Sequence, residues 1–129
     1  MAGRGARVVV AATVLLVLLV AGWFTAASRA VFLMDAVLMV LAYGLPAWWI
    51  GHPKDVTRVW PVLLAWVLVL TVAWDAISAA LGERPLLSEW WLVYPSSVIF
   101  FLALYLFHGW VAWVVTRRSS GRSHPSSPP

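Results

Sequence analysis

The sequence predicts an all-α integral membrane protein with four membrane-crossing helices and both termini in the cytoplasm. Three observations carry this expectation. Of 129 residues, 63% are hydrophobic and only 11% charged, and the mean hydropathy is +0.89. A soluble domain of this size has no interior large enough to hide so much apolar surface. The apolar residues gather in four runs, about 8–24, 30–50, 59–81 and 90–115. Each can cross a hydrocarbon layer about 30 Å thick, the first only barely. The basic residues are also unevenly placed. With the N-terminus inside, Arg4, Arg7, Lys54, Arg58, Arg117, Arg118 and Arg122 fall inside, and only Arg29 and Arg84 outside. Seven against two is a strong positive-inside bias. A multi-pass protein of the cell (plasma) membrane, with the lipid bilayer as its first partner, is the expectation.

Composition also excludes several classes. The chain has no Cys, which removes disulfides, thiolate metal sites and Cys nucleophiles. The formal charge of +4 and pI near 10.4 come from residues flanking the apolar runs, so nucleic acid is not an expected partner. His52, His108 and His124 lack metal-ligand spacing. There is no Gly-rich phosphate loop and no Ser/His/Asp arrangement. No cofactor and no metal are expected.

The elements follow in order. Residues 1–7 are a short basic segment. The run 8–24 reads as a retained helix; cleavage as a signal peptide at the small residues 25–28 is the alternative, leaving three helices. The run 30–50 carries Asp35 near its start and Pro46 near its end, where Pro should kink the helix or mark its frayed last turn. Residues 51–58 read as a polar loop. The run 59–81 tolerates Pro61 in its first turn. After a second loop, 90–115 forms the last helix. From Thr116 to Pro129 the chain is Arg-, Ser- and Pro-rich and reads as a disordered basic tail. Most of the ten Trp lie near run ends, as in an interfacial aromatic belt; Trp66 is mid-run and Trp74 adjoins Asp75.

Asp75 is the most informative residue. An acid inside a spanning run costs about 2.5–3.5 kcal/mol on insertion scales, so it must face protein or water. Thr71, Asp75, Ser78 and Gly82 are four, three and four residues apart, which puts them on one helical face. At 1.5 Å per residue, Asp35 lies about 7–8 Å from the outer end of its run and Asp75 about 9 Å from the same side. Tyr94 and Ser97 fall at a similar depth. The expectation is one polar pocket in the outer half with two carboxyls in it. Two such acids close together in low dielectric do not both ionise readily, so one is expected to hold a proton for general-acid chemistry on a lipid-soluble substrate. The competing expectation is that both acids only hydrogen-bond Tyr94, Ser97 or Arg84, with Ser78 a further partner for Asp75, and fix helix packing. For His108 the expectation is an interhelical hydrogen bond.

From about residue 30 to 115 the chain resembles the small membrane lycopene cyclases, which are built from three-helix modules that pair or are fused. Phe32-Leu33-Met34-Asp35 opens the first helix of such a module. Pro53-Lys54-Asp55-Val56-Thr57-Arg58 stands for the basic loop, and Trp74-Asp75 with Gly82 fits the end of the second helix. Pro85-Leu86-Leu87-Ser88-Glu89 stands where a Pro-Leu-Glu-Glu segment is usual. The chain departs from the pattern in keeping one acid of that pair and lacking the aromatic segment after the Gly. The resemblance implies cofactor-free protonation of an isoprenoid or carotenoid end group, ring closure and proton loss. It implies acid–base roles for Glu89 and Asp75; Asp35, at the same depth as Asp75, is the third catalytic candidate, and Ser78, Tyr94, Ser97 and Trp74 are the candidates for substrate contact. The competing classes are a non-enzymatic small membrane subunit or scaffold, and a proton-coupled transporter half. In all three, pairing with itself or with another small membrane protein is expected.

Overall fold

The computed structural model describes residues 2–26, 28–83 and 85–123, with backbone alone for 2–4 and 119–123. The described residues form helices and turns with no strand. Helix α1 spans Ala2–Thr25. The second span begins as α2, Arg29–Met39, passes through a π-helical turn at Val40–Gly44, and ends as α3, Leu45–Trp49. A short helix α4, Pro53–Arg58, precedes α5, Trp60–Ala80, and α6, Trp90–Ser123. Four of these stretches, Gly5–Thr25, Arg29–Trp49, Trp60–Ala80 and Trp90–Arg118, are long and apolar enough to cross a membrane.

Local chemistry explains where the elements start, stop and bend. The Ser28 hydroxyl accepts from the Val31 N–H at 3.2 Å and starts α2. Pro46 has no N–H, so in an α register it leaves the Ala42 carbonyl without a backbone donor, and in a π register the Leu41 carbonyl. Both carbonyls receive side-chain donors from other helices. Trp66 Nε1–H donates to Leu41 O at 3.0 Å, and the Tyr105 hydroxyl donates to Ala42 O. The irregular turn is thus held by α5 and α6.

The segment expected as a polar loop is helical instead. His52 Nδ1 accepts from the Lys54 N–H at 3.0 Å, and Asp55 Oδ2 accepts from the Gly51 and His52 N–H groups at 3.0 Å each. Pro53 occupies the first turn, where its missing N–H costs nothing. Helix α4 packs on α6 because Gly109 has no side chain. A Cβ there would stand 2.9 Å from the His52 and Pro53 backbone. The two chain ends also depart from expectation. The basic segment 2–7 belongs to α1, and α6 runs on to Ser123, through the first part of the expected tail. The remainder, 124–129, and Arg84 lie outside the described residues.

The neighbouring pairs in the bundle are α1 and α2, α2 and α5, α5 and α6, and α6 and α1. Large apolar residues such as Val9, Val17, Leu33, Val62, Val69 and Ile99 are exposed on all four spans. In water such a surface would aggregate; against lipid it is the ordinary exterior. The buried core runs through Tyr43, Ala47, Ile50, Val56, Leu63, Val67 and Tyr105. It therefore sits from mid-span to the end carrying Arg7, Lys54, Arg58 and Arg117, here termed the basic end.

Candidate functional site

The opposite half of the bundle holds a half-open cavity. A cavity of about 370 Å³ lies among all four spans. Its walls include Leu18 and Gly22 of α1, Phe32, Asp35 and Met39 of α2, Thr71 and Trp74 of α5, and Val93, Ser97 and Phe101 of α6. The lining is mainly apolar. The Thr71 hydroxyl turns back to donate to Val67 O at 2.7 Å. Asp35 is the one carboxyl on the wall, and Trp74 Nε1–H donates to its Oδ1 at 2.8 Å. That bond fixes the carboxyl across the α2–α5 contact.

Asp75 is placed differently. It follows Trp74 directly, so the two side chains leave α5 about 100° apart. Trp74 turns to α2 and the cavity; Asp75 turns to α6 and the turn before it. Asp75 is 2% exposed. Its Oδ2 accepts from the Tyr94 hydroxyl at 3.0 Å and the Leu87 N–H at 3.1 Å. Its Oδ1 is buried with no hydrogen-bond partner among the described residues. The Leu87 N–H reaches Asp75 because Leu87 adopts φ 60, in the left-handed region that a branched side chain rarely enters.

The expected single pocket with two carboxyls is therefore divided. Asp35, Trp74 and Ser97 share the cavity, whereas Asp75 and Tyr94 share a half-buried contact on its flank. Of the partners expected for Asp75, Tyr94 bonds it, and Arg84 lies outside the described residues. Ser78 is buried on α5 with its hydroxyl 4.0 Å from Met34 Sδ, a weak contact. Glu89 is exposed with φ 53, and its backbone carbonyl accepts from Leu92 and Val93 N–H at 2.9 Å each to start α6. It does not line the cavity.

Sequence reasoning missed the contribution of α1. Leu18, Leu19, Gly22 and Thr25 close one side of the cavity, so a chain cut after 25 would lose that wall. The only available signal was that α1 is apolar all round, which does not say which face meets protein.

The basic end has its own polar cluster. His108 Nε2 lies 2.9 Å from Ala47 O and 3.1 Å from Ile50 O, so it carries a hydrogen, and Nδ1 shares a 2.8 Å hydrogen bond with the Tyr43 hydroxyl. His108 thereby caps the end of α3 from α6, the interhelical role expected of it. Arg7 completes the cap by donating to Trp49 O at 2.9 Å. Among the described residues no three His, Asp or Glu side chains are grouped so as to hold a metal ion.

The fold and site define an all-helical protein of membrane-spanning type with an apolar, carboxyl-bearing cavity inside the bundle. No protein-family model, curated protein or solved structure matches the chain.

Proposed function

We propose that this is a multi-pass protein of the cell membrane, with both termini cytoplasmic, that takes an isoprenoid end group into its cavity and acts on it by acid–base chemistry at Asp35. The observation that carries the reading is the Asp35 carboxyl on the wall of an otherwise largely apolar, intramembrane cavity. A pocket of this size and lining suits an apolar ligand with one polar contact. An acid there has one evident use on a hydrocarbon. The Asp35 carboxylic acid gives its proton to a terminal double bond, and a cation forms. A neighbouring double bond attacks that cation and closes a ring. A proton then leaves the ring carbon for the Asp35 carboxylate, so the sum is an isomerisation needing no cofactor. Trp74 N–H stabilises the carboxylate while the cation exists, and the Trp74, Phe32 and Phe101 rings offer π faces to it. In this reading Asp75 is a positioning residue. It ties Tyr94 to α5, and the neighbours of Tyr94 on α6, Val93 and Ser97, line the cavity.

The test is expression in a lycopene-accumulating host, alone and with a second small membrane protein, with ring-closed product scored by chromatography. Product from wild type and a fall of about 10²–10⁴-fold in Asp35→Asn are expected. Absence of cyclic product under every pairing overturns the reaction. A second reading, a non-enzymatic membrane subunit, draws on the engagement of Asp75 in helix contacts. Under it the cavity holds a lipid chain, and wild type and Asp35→Asn bind that chain equally.

A further inference from the structure

The charges of this molecule are sorted by end. Of the five acids, Asp35 and Asp75 lie in the cavity-bearing half, and Glu83 and Glu89 are exposed beyond it. Asp55 alone lies at the basic end, and its Oδ2 is taken by the Gly51 and His52 N–H groups. Lys54, Arg58, Arg117 and Arg118 are exposed there. Arg7 and His108 add donors to the α3 carbonyls at the same end.

Helix α4 is not a loose tether between spans. Gly109 lets its first residues press onto α6, where an added Cβ would meet backbone at 2.9 Å. The His52 ring meets the Trp113 ring edge-on at 5.1 Å, and the Arg117 guanidinium lies 5.5 Å from the centre of the same ring. His52, Trp113 and Arg117 thus join the start of α4 to the end of the apolar part of α6. Trp48, Trp49, Trp60 and Trp110 are exposed around this end, the placement that sets aromatic rings at headgroup depth.

We propose that α4 and the adjoining turn of α6 form a docking site for the phosphodiester headgroup of an anionic phospholipid, with Lys54, Arg58, Arg117 and Arg118 as its cationic contacts. The site combines two properties that a loose basic loop lacks. Its cations sit on two helices fixed against one another, and it is bordered by exposed Trp rings of the kind that favour headgroup depth. Each cation near an anionic surface contributes about a fivefold factor in binding. The proposal is independent of what the cavity holds.

The experiment places full-length protein in nanodiscs of phosphatidylcholine with and without phosphatidylglycerol. It reads the lipids retained, by native mass spectrometry, and the melting temperature. Wild type is expected to enrich phosphatidylglycerol and to melt higher in its presence. Each neutralisation among Lys54→Gln, Arg58→Gln, Arg117→Gln and Arg118→Gln should weaken the enrichment about fivefold, and the quadruple variant should lose it. Arg29→Gln, at the opposite end, should leave it unchanged. Gly109→Ala keeps every charge but pushes α4 off α6, and should also lower the enrichment. Enrichment that persists in the quadruple variant, or falls equally in Arg29→Gln, overturns the site. Full enrichment in Gly109→Ala reduces it to diffuse charge and overturns the built geometry. Inorganic phosphate that matches the lipid's effect at equal ionic strength overturns the lipid as the ligand.

Discussion

The two halves of this bundle are made from the same four spans and solve opposite problems. Around Tyr43, Ile50, Tyr105 and His108 the basic-end half is close-packed, and carbonyls toward the end of the second span and at its C-cap find side-chain donors: Leu41 from Trp66, Ala42 from Tyr105, Trp49 from Arg7, and Ala47 and Ile50 from His108. Around Phe32, Asp35 and Trp74 the other half opens into a cavity and leaves a carboxyl on its wall. A membrane bundle gains little from burying apolar surface, since lipid is equally apolar, and it relies on packing and interhelical hydrogen bonds instead. Concentrating both in one half lets the other half stay open without unfolding the whole. The division falls at the π turn of Val40–Gly44. On one side α3 contacts α1 and α6; on the other, α2 contacts α1 and α5.

The contrast can be broken most sharply in the packed half. His108→Ala removes the donor to Ala47 and Ile50 and the partner of Tyr43 at once, and leaves a void. A loss of roughly 2–4 kcal/mol is expected, read as a large drop in melting temperature in detergent. Tyr105→Phe removes only the donor to Ala42 O, with an expected cost of about 1–2 kcal/mol. On the flank of the cavity, Asp75→Asn keeps an oxygen for Tyr94 and the Leu87 N–H and should change stability by about 1 kcal/mol or less. Asp75→Leu should do clearly more harm, because it strands both donors. The smallest effect is expected inside the cavity. Ala36→Phe, pointing into free volume, should shift stability by about 0.5 kcal/mol or less, whereas an equal enlargement of Ala47 would overpack the core. Similar losses from Ala36→Phe and from Ala47→Phe would erase the distinction between the halves.

Much of the architecture was legible in the sequence. Four spans were expected, and the described residues hold four apolar helices of spanning length, because length and apolar content are properties of single segments. Azimuth is not such a property. Depth arithmetic set Asp35 and Asp75 at one level, but only packing decided that Trp74 would face Asp35 and Asp75 would face Tyr94. Helix α4 left a partial signal. Pro53 with Asp55 two residues on suits a helix start, but His in the capping position is uncommon and concealed it. Pro46 announced an irregularity. That Trp66 and Tyr105 would satisfy the carbonyls around it depends on helices far away in sequence.

The central claim is that the cavity is a binding site for an isoprenoid chain. Its most direct test is pigment retention. Wild type and Ala36→Phe are purified in mild detergent from a lycopene-accumulating host, and polyene absorbance is measured per mole of folded protein. The account predicts near-stoichiometric polyene on wild type and little on Ala36→Phe, with both proteins melting at closely similar temperatures. Equal polyene on the two, or none on wild type that remains folded, would contradict it.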